Sequence, residues 1–75
     1  MVTAFVLVVT KIGKEKDVLN AVSKLDKVQE AWNVYGDYDI ITKVGTDDIE
    51  SLNQFIVKEL RTLPDVSMTT TLIGL

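Results

Sequence analysis

The sequence contains no cysteine and no histidine. Disulfide bridges are therefore excluded, the usual zinc sites have lost their soft ligands, and no histidine can act as a general base. A chain of 75 residues buries only about 60% of the surface that its unfolded form exposes, so it often needs a further source of stability. Because hydrophobic residues make up 47% of the chain, we expect that source to be association into a homo-oligomer.

Basic residues and long apolar runs are scarce as well. The eight lysines and arginines are outnumbered by eleven acidic residues, which gives a net charge of −3. Nucleic-acid-binding domains usually carry a basic patch, so we expect no direct contact with nucleic acid. No apolar run approaches the ~18 residues of a membrane span, and the run VTAFVLVV lacks the basic start and cleavage site of a signal peptide. We expect a cytoplasmic protein that uses neither membrane nor metal nor cofactor.

The first half of the chain alternates between strand and helix patterns. Residues 2–9 are β-branched and aromatic, which predicts a strand. Apolar residues at helical spacing predict a helix over residues 14–25. Two further strands are predicted over residues 28–35 and 38–44. The Gly-Asp pair at 36–37 predicts a two-residue hairpin turn between them, because glycine takes the positive φ that such turns require.

The second half predicts one helix and one strand. Asp47 can cap a helix, and Glu50 can reach back to the cap three residues later. An apolar face at helical spacing follows, and Pro64 should stop the helix because it cannot donate an amide hydrogen bond. Residues 66–75 predict the fourth strand.

The order of these elements, β-α-β-β-α-β, predicts a ferredoxin-like α+β sandwich that forms one domain over residues 1–75. Right-handed crossovers place both helices on one face of a four-stranded antiparallel sheet. Both alternating sets of the first strand are apolar, which is typical of a strand buried on both sides. We therefore expect a second copy of the sheet to cover the other face, as in a dimeric α+β barrel.

Several short motifs in this order resemble the effector-binding domain of the Lrp/AsnC family of transcription regulators, also called the RAM domain. They are the V-x-G-x-Y-D run at 34–39, the aspartate-capped second helix, LPDV at 63–66 and the threonine-rich stretch at 69–72. The likeness extends over essentially the whole chain. Asp65 departs from the pattern, since the family often has glycine in that position.

The resemblance implies a non-enzymatic domain that senses a small molecule, typically an amino acid, and takes part in transcription regulation. It also implies that dimers assemble into octamers or similar rings and that the pocket lies between dimers. Members of the family typically begin with a DNA-binding domain, whereas this chain begins at the first predicted strand. We therefore expect a stand-alone RAM domain that regulates without direct DNA binding and acts either by joining full-length relatives as partners or by storing or sensing amino acids on its own.

Asp39 is the leading candidate for the ligand site. Its carboxylate can accept a charge-assisted hydrogen bond from a ligand ammonium; the alternative is that it satisfies backbone amides of the hairpin or of a neighbouring strand. Gly36 serves the turn or lets a ligand carboxylate approach backbone amides, and Asp37 is an ordinary turn residue. Tyr35 walls a pocket or covers the sheet edge.

The resemblance adds three residues from the last strand and the second helix. Thr69 and Thr71 share one face of the last strand and could donate hydrogen bonds to a ligand, although strand propensity alone explains them. Ile49 could line the pocket with apolar surface. The predicted ligand-binding set is Tyr35, Gly36, Asp37, Asp39, Ile49, Thr69 and Thr71.

Two other functions stay open from the residues alone. Small cofactor-free oxygenases also form dimeric α+β barrels, and Trp32 and Asn33 would be their candidate side chains here. No nucleophile–base pair supports that chemistry. The second alternative is a purely structural module that binds a partner protein.

Overall fold

The computed structural model describes residues 1–74, which form a four-stranded antiparallel sheet with the helices packed on one face. The sheet order is β2-β3-β1-β4, as the ferredoxin-like prediction requires. No helix within residues 1–74 is long and apolar enough to cross a membrane. The strands are β1 (Val2–Thr10), β2 (Val28–Asn33), β3 (Ile40–Thr46) and β4 (Val66–Ile73); the helices are α1 (Glu15–Ser23) and α2 (Ile49–Phe55), which continues as a π-helical segment (Ile56–Leu60).

The core lies between the helices and the two central strands. Every second residue of β1 and β3 is buried, because successive side chains of a strand point to opposite faces. Burying one aliphatic side chain contributes about 1.5–3 kcal/mol, so this layer supplies most of the stability of the chain. Its buried hydrophobic members are Ala4, Val6, Val8, Ile40 and Val44 from the strands, and Val18, Val22, Leu52, Phe55, Ile56 and Leu60 from the helical layer.

The other side of the sheet, called here the open sheet face, is largely apolar. No helix or strand of residues 1–74 covers it, and only Tyr38 of the β2–β3 connection reaches it, where its hydroxyl donates to Thr70 at 3.4 Å. The strand register places Trp32, Ile41, Leu7 and Thr70 in one row across all four strands. Trp32 remains 43% exposed, whereas Leu7 and Ile41 are half-buried. The remaining apolar residues of this face are Phe5, Val9, Met68 and Leu72.

The second helix begins one residue later than predicted. Asp48, not Asp47, is the N-cap, and its carboxylate accepts a 2.7 Å hydrogen bond from the amide of Ser51. β3 extends to Thr46, whose hydroxyl donates to the carbonyl of Asp48 at 2.8 Å. This bond holds the chain extended past Asp47, so the prediction that Asp47 and Glu50 form a capping box is wrong.

Replacing Asp48 with alanine should lower the midpoint of thermal unfolding at neutral pH, because the amide of Ser51 loses its acceptor. The backbone hydrogen bond from Ser51, followed by a side-chain bond from the same residue, lowers the pKa of Asp48 below its ordinary value. A lowered pKa in the folded state adds stability above the pKa of the unfolded chain. That stability is lost as the pH falls through the folded-state pKa.

Thermal unfolding of both proteins between pH 7 and pH 2 measures this. The difference in midpoint between wild type and Asp48→Ala should be constant above about pH 5 and shrink below it. Asp47→Ala is the matched control and should behave as wild type across the range. A difference that grows on acidification would contradict the assignment of the cap.

The second helix also ends before Pro64, so the prediction that this proline stops it is wrong. The amide of Arg61 donates to the carbonyl of Ile56 at 2.8 Å, which closes a wide π-type turn, and the helical segment ends at Leu60. Asp65 then takes the left-handed conformation with φ 69°, a conformation that favours glycine.

The other boundaries differ by a few residues from prediction. The first helix covers Glu15–Ser23, not 14–25, and the first strand extends one residue further, to Thr10. The last strand ends at Ile73, and the final predicted strand residue, Leu75, lies outside the described residues.

Candidate functional site

The connection between β2 and β3 is longer than the predicted two-residue turn. β2 ends at Asn33 and β3 begins at Ile40, so residues 34–39 form the link, and the prediction of a tight Gly-Asp turn is wrong. The amide of Val34 donates to the carbonyl of Asp39 at 2.9 Å and closes the link. Within it, Gly36 has φ 119°, a conformation that favours glycine.

A cleft of about 440 Å³ lies between this link and the start of α1. Asn33 borders it because this residue pairs with buried Ile40 and so lies on the helix side of the sheet. The volume lies in the range of small-molecule sites. The residues that line the cleft are Glu15, Lys16, Asn33, Val34, Tyr35 and Asp39.

Asp39 links this cleft to the end of β1. Its Oδ2 accepts hydrogen bonds from the amide of Thr10 at 2.8 Å and from the hydroxyl of Thr10 at 3.3 Å. Its own amide donates to the carbonyl of Val8 at 2.9 Å. Oδ2 of Asp39 therefore has the alternative role considered above: it accepts a hydrogen bond from a backbone amide of a neighbouring strand.

The second carboxylate oxygen of Asp39 faces a different environment. No hydrogen bond to Oδ1 occurs within residues 1–74, and no buried side-chain oxygen of these residues is without a partner. Oδ1 is therefore not fully buried, and Asp39 borders the cleft. One carboxylate thus combines a structural oxygen with an oxygen that can accept a bond from a ligand.

The cleft places groups of opposite charge near one another. Asp39 and Glu15 supply carboxylates that can accept from an ammonium, and Lys16 supplies a cation on the α1 side of the cleft. The helix α1 begins there with Lys14, which forms no side-chain cap. The first amides of an uncapped helix can donate to an anion. This arrangement fits a small zwitterion whose ammonium meets Asp39.

The predicted site residues lie in three regions: the link at the cleft, the start of α2, and β4. Tyr35 and Asp39 both line the cleft, whereas Gly36 and Asp37 are exposed in the link beside it. Ile49 follows the far end of β3. Because a seven-residue strand is about 20 Å long, Ile49 cannot reach the cleft of its own chain.

The two threonines of β4 lie beyond β1 from the cleft. Thr69 pairs with Val8 and Thr71 pairs with Val6, so both side chains are on the helix side of the sheet. The amide of Gly74 donates to the carbonyl of Thr3. In an antiparallel pair every second residue bonds to the partner strand, so on β4 the residues at even positions bond to β1. Thr69 and Thr71 therefore direct their backbone groups to the free edge of β4.

Sequence reasoning missed Thr10, Glu15 and Lys16. Thr10 and Asp39 are separated by 29 positions, so no local pattern could have linked them. In the sequence, Lys16 cannot be distinguished from the other solvent-exposed charged residues. Its place at the site is seen only once α1 is known to lie beside the link. The signal available in the sequence was a charged residue in the first turn of the first helix. It would have indicated a site only if that turn had been known to lie beside the hairpin.

The two candidate residues for an oxygenase lie on opposite sides of the sheet. Trp32 pairs with Ile41 on the open sheet face, whereas Asn33 pairs with buried Ile40 on the helix side. They therefore do not share a pocket within one chain.

Comparison with known proteins gives a consistent set of relatives. A family model described as the Lrp/AsnC ligand binding domain matches residues 3–75. The HTH-type transcriptional regulator FL11 of Pyrococcus abyssi is 35% identical over 72 residues, which cover 96% of this chain and 47% of that protein. The chain thus spans about half the length of this relative.

Two solved structures illustrate the fold. The crystal structure of FFRP-DM1 has a TM-score of 0.95 and 47% identity and covers 100% of both chains. The transcriptional regulator NMB0573 of Neisseria meningitidis, solved as a complex with L-Met, has a TM-score of 0.89 and 20% identity, and the match covers 99% of this chain and 49% of that one. The latter shares the fold.

Proposed function

The chain belongs to the Lrp/AsnC ligand-binding domain family, and we propose that it is an oligomeric, non-enzymatic sensor of a free amino acid in transcription regulation. The observation that carries the proposal is the carboxylate of Asp39, which borders the cleft: Thr10 donates to one of its oxygens, and the other accepts no hydrogen bond within residues 1–74. A neighbour with the same fold was solved with L-Met bound, which supports an amino acid as the class of ligand.

The ligand would lie between the link and α1. Its ammonium would donate to Oδ1 of Asp39, and its carboxylate would meet Lys16 and the first amides of α1. Val34 and Tyr35 would contact its side chain. Gly36 and Asp37 adjoin these residues and would close over the ligand.

The remaining predicted site residues would act from neighbouring copies. Ile49 is at the far end of β3 from the cleft of its own chain, so only another chain could bring it there. Thr69 and Thr71 present free backbone groups at the edge of β4 and could meet such a chain. The pocket would then be complete only where dimers meet in a ring.

The dimer itself would use the open sheet face. This face exposes Trp32, Met68 and Leu72 to solvent, and a second copy packed at ~10 Å would cover them. A standard specific interface buries about 800 Å² per partner, which is the size of one face of a small sheet. Glu30 and Lys43 lie opposite each other in register, so the same face carries charges that a two-fold related copy can complement.

Ligand binding and assembly would be linked. A ligand that binds only where two dimers meet stabilises that contact by mass action, and assembly raises ligand affinity by the same factor. The ring would therefore grow or become more stable as the free amino acid becomes abundant. Full-length relatives that carry a DNA-binding domain would transmit this change to transcription in the cytoplasm, without contact between this domain and DNA.

Thermal unfolding in the presence of each of the twenty free L-amino acids, combined with light scattering, tests the proposal. At a ligand concentration 100 times the dissociation constant, stability rises by about 2.7 kcal/mol, which for a small domain raises the midpoint by roughly 10 °C or more. We expect one amino acid or a chemically related group of them to produce this shift and to increase the mean mass. No shift with any amino acid, together with capture of a DNA-binding relative, would favour the structural module instead.

A further inference from the structure

We propose that Thr10 is the positioning residue of the ligand site: by holding Oδ2 of Asp39, it directs Oδ1 to the ligand ammonium. This inference rests on the proposed function, because it concerns the same cleft. Thr10 does not line the cleft and would act only through Asp39.

The environment of Thr10 supports this role. It is 7% exposed, at the last position of β1, where the register with β4 shifts between Val9 and Thr10. The amide of Thr10 donates to a side chain, the carboxylate of Asp39, at 2.8 Å. Because buried amides need acceptors, the irregular end of β1 and the orientation of Asp39 depend on each other.

The hydroxyl of Thr10 adds a second bond to the same oxygen, at 3.3 Å. Two donors on Oδ2 restrict rotation of the carboxylate about its last side-chain bond, so Oδ1 keeps one direction before any ligand arrives. A site whose groups are held in the bound geometry loses less entropy on binding. The hydroxyl of Thr10 should therefore increase affinity for the ammonium without touching it.

Thr10→Val removes the hydroxyl and keeps the backbone amide, and Thr10→Ser keeps both donors. The matched control is Thr42→Val, since Thr42 is also a buried threonine of the sheet, and its hydroxyl donates to the carbonyl of Val6 at 3.1 Å. The probes are the twenty free L-amino acids and, for the tightest binder, the analogue in which hydrogen replaces the α-ammonium. Isothermal titration calorimetry gives the dissociation constants.

We expect Thr10→Val to weaken binding of the amino acid about tenfold and to leave binding of the analogue unchanged. Thr10→Ser and Thr42→Val should bind both probes as wild type does. Equal weakening of both probes by Thr10→Val would indicate general distortion of the cleft and overturn the inference. Unchanged affinity of Thr10→Val for the amino acid would overturn it and leave the proposed function standing.

If the wild-type protein binds none of the twenty amino acids, the proposed function fails, and the positioning role fails with it. If Thr10→Val does not fold, the amide proton of Thr10 in the wild-type protein provides the second measurement by NMR. The amino acid should shift this resonance, and the analogue without the ammonium should shift it much less. Identical shifts with both probes would overturn the positioning role.

Discussion

Asp39→Asn should reduce affinity for the amino acid by about tenfold to a hundredfold and leave the midpoint of unfolding close to that of wild type. The carboxamide oxygen can replace Oδ2 as acceptor for the amide and hydroxyl of Thr10, so the end of β1 stays satisfied. The carboxamide nitrogen then takes the position of Oδ1 and presents a donor to the ligand ammonium. Loss of a hydrogen bond to a charged group costs about 1.5–3 kcal/mol, which gives the expected factor.

Asp39→Ala separates the two roles of this residue. It removes both oxygens, so the buried amide of Thr10 loses its acceptor at a cost of about 1–3 kcal/mol. The midpoint should fall by roughly 4–8 °C for each kcal/mol, in addition to the loss of binding. An alanine variant alone would therefore confuse unfolding with loss of the site.

Calorimetric titration and thermal unfolding of both variants measure these effects. Asp47→Asn is the matched control, because Asp47 is exposed, follows the far end of β3 and does not line the cleft. It should behave as wild type in both measurements. Wild-type affinity in Asp39→Asn would exclude Asp39 from the site, whatever the stability of the variant.

Leu7→Asp should convert the protein to a monomer. Leu7 is in the row formed by Trp32, Ile41 and Thr70 on the open sheet face. If a second copy covers this face, the substitution places an unpaired carboxylate in the interface, at a cost of several kcal/mol. A loss of about 2.7 kcal/mol already raises the dissociation constant of the dimer a hundredfold, and we expect at least this change.

Sedimentation velocity over a range of micromolar concentrations determines the dissociation constant, and fluorescence of the single tryptophan reports the same event locally. Trp32 is 43% exposed in one chain, so its emission should move to longer wavelength as the dimer dissociates. Val57→Asp is the control, because Val57 is exposed in the helical segment, outside the sheet. A wild-type protein that sediments as a monomer, or an unchanged dimer of Leu7→Asp, would rule out this interface.

The order of strands and helices could be predicted from local patterns, and the ends of the elements could not. The β-branched and aromatic composition of β1 and the helical spacing around Val18 and Val22 depend only on neighbouring residues. The start of α2 depends instead on whether Thr46 stays in the sheet, and its hydroxyl bond to Asp48 decides this. The length of the hairpin link likewise depends on Asp39, whose side chain is held by a strand that precedes it by 29 positions.

By itself, the sequence determined the α+β order, the apolar character of both sides of β1, and the resemblance to the family to which the chain belongs. These properties follow from residue type and spacing, which act over one turn or one strand. The tertiary structure decided that only one oxygen of Asp39 accepts a hydrogen bond within residues 1–74, that Lys16 lines the same cleft, and that Ile49 lies at the other end of the sheet. These relations depend on the register between distant strands, and that register is fixed by packing of the whole core.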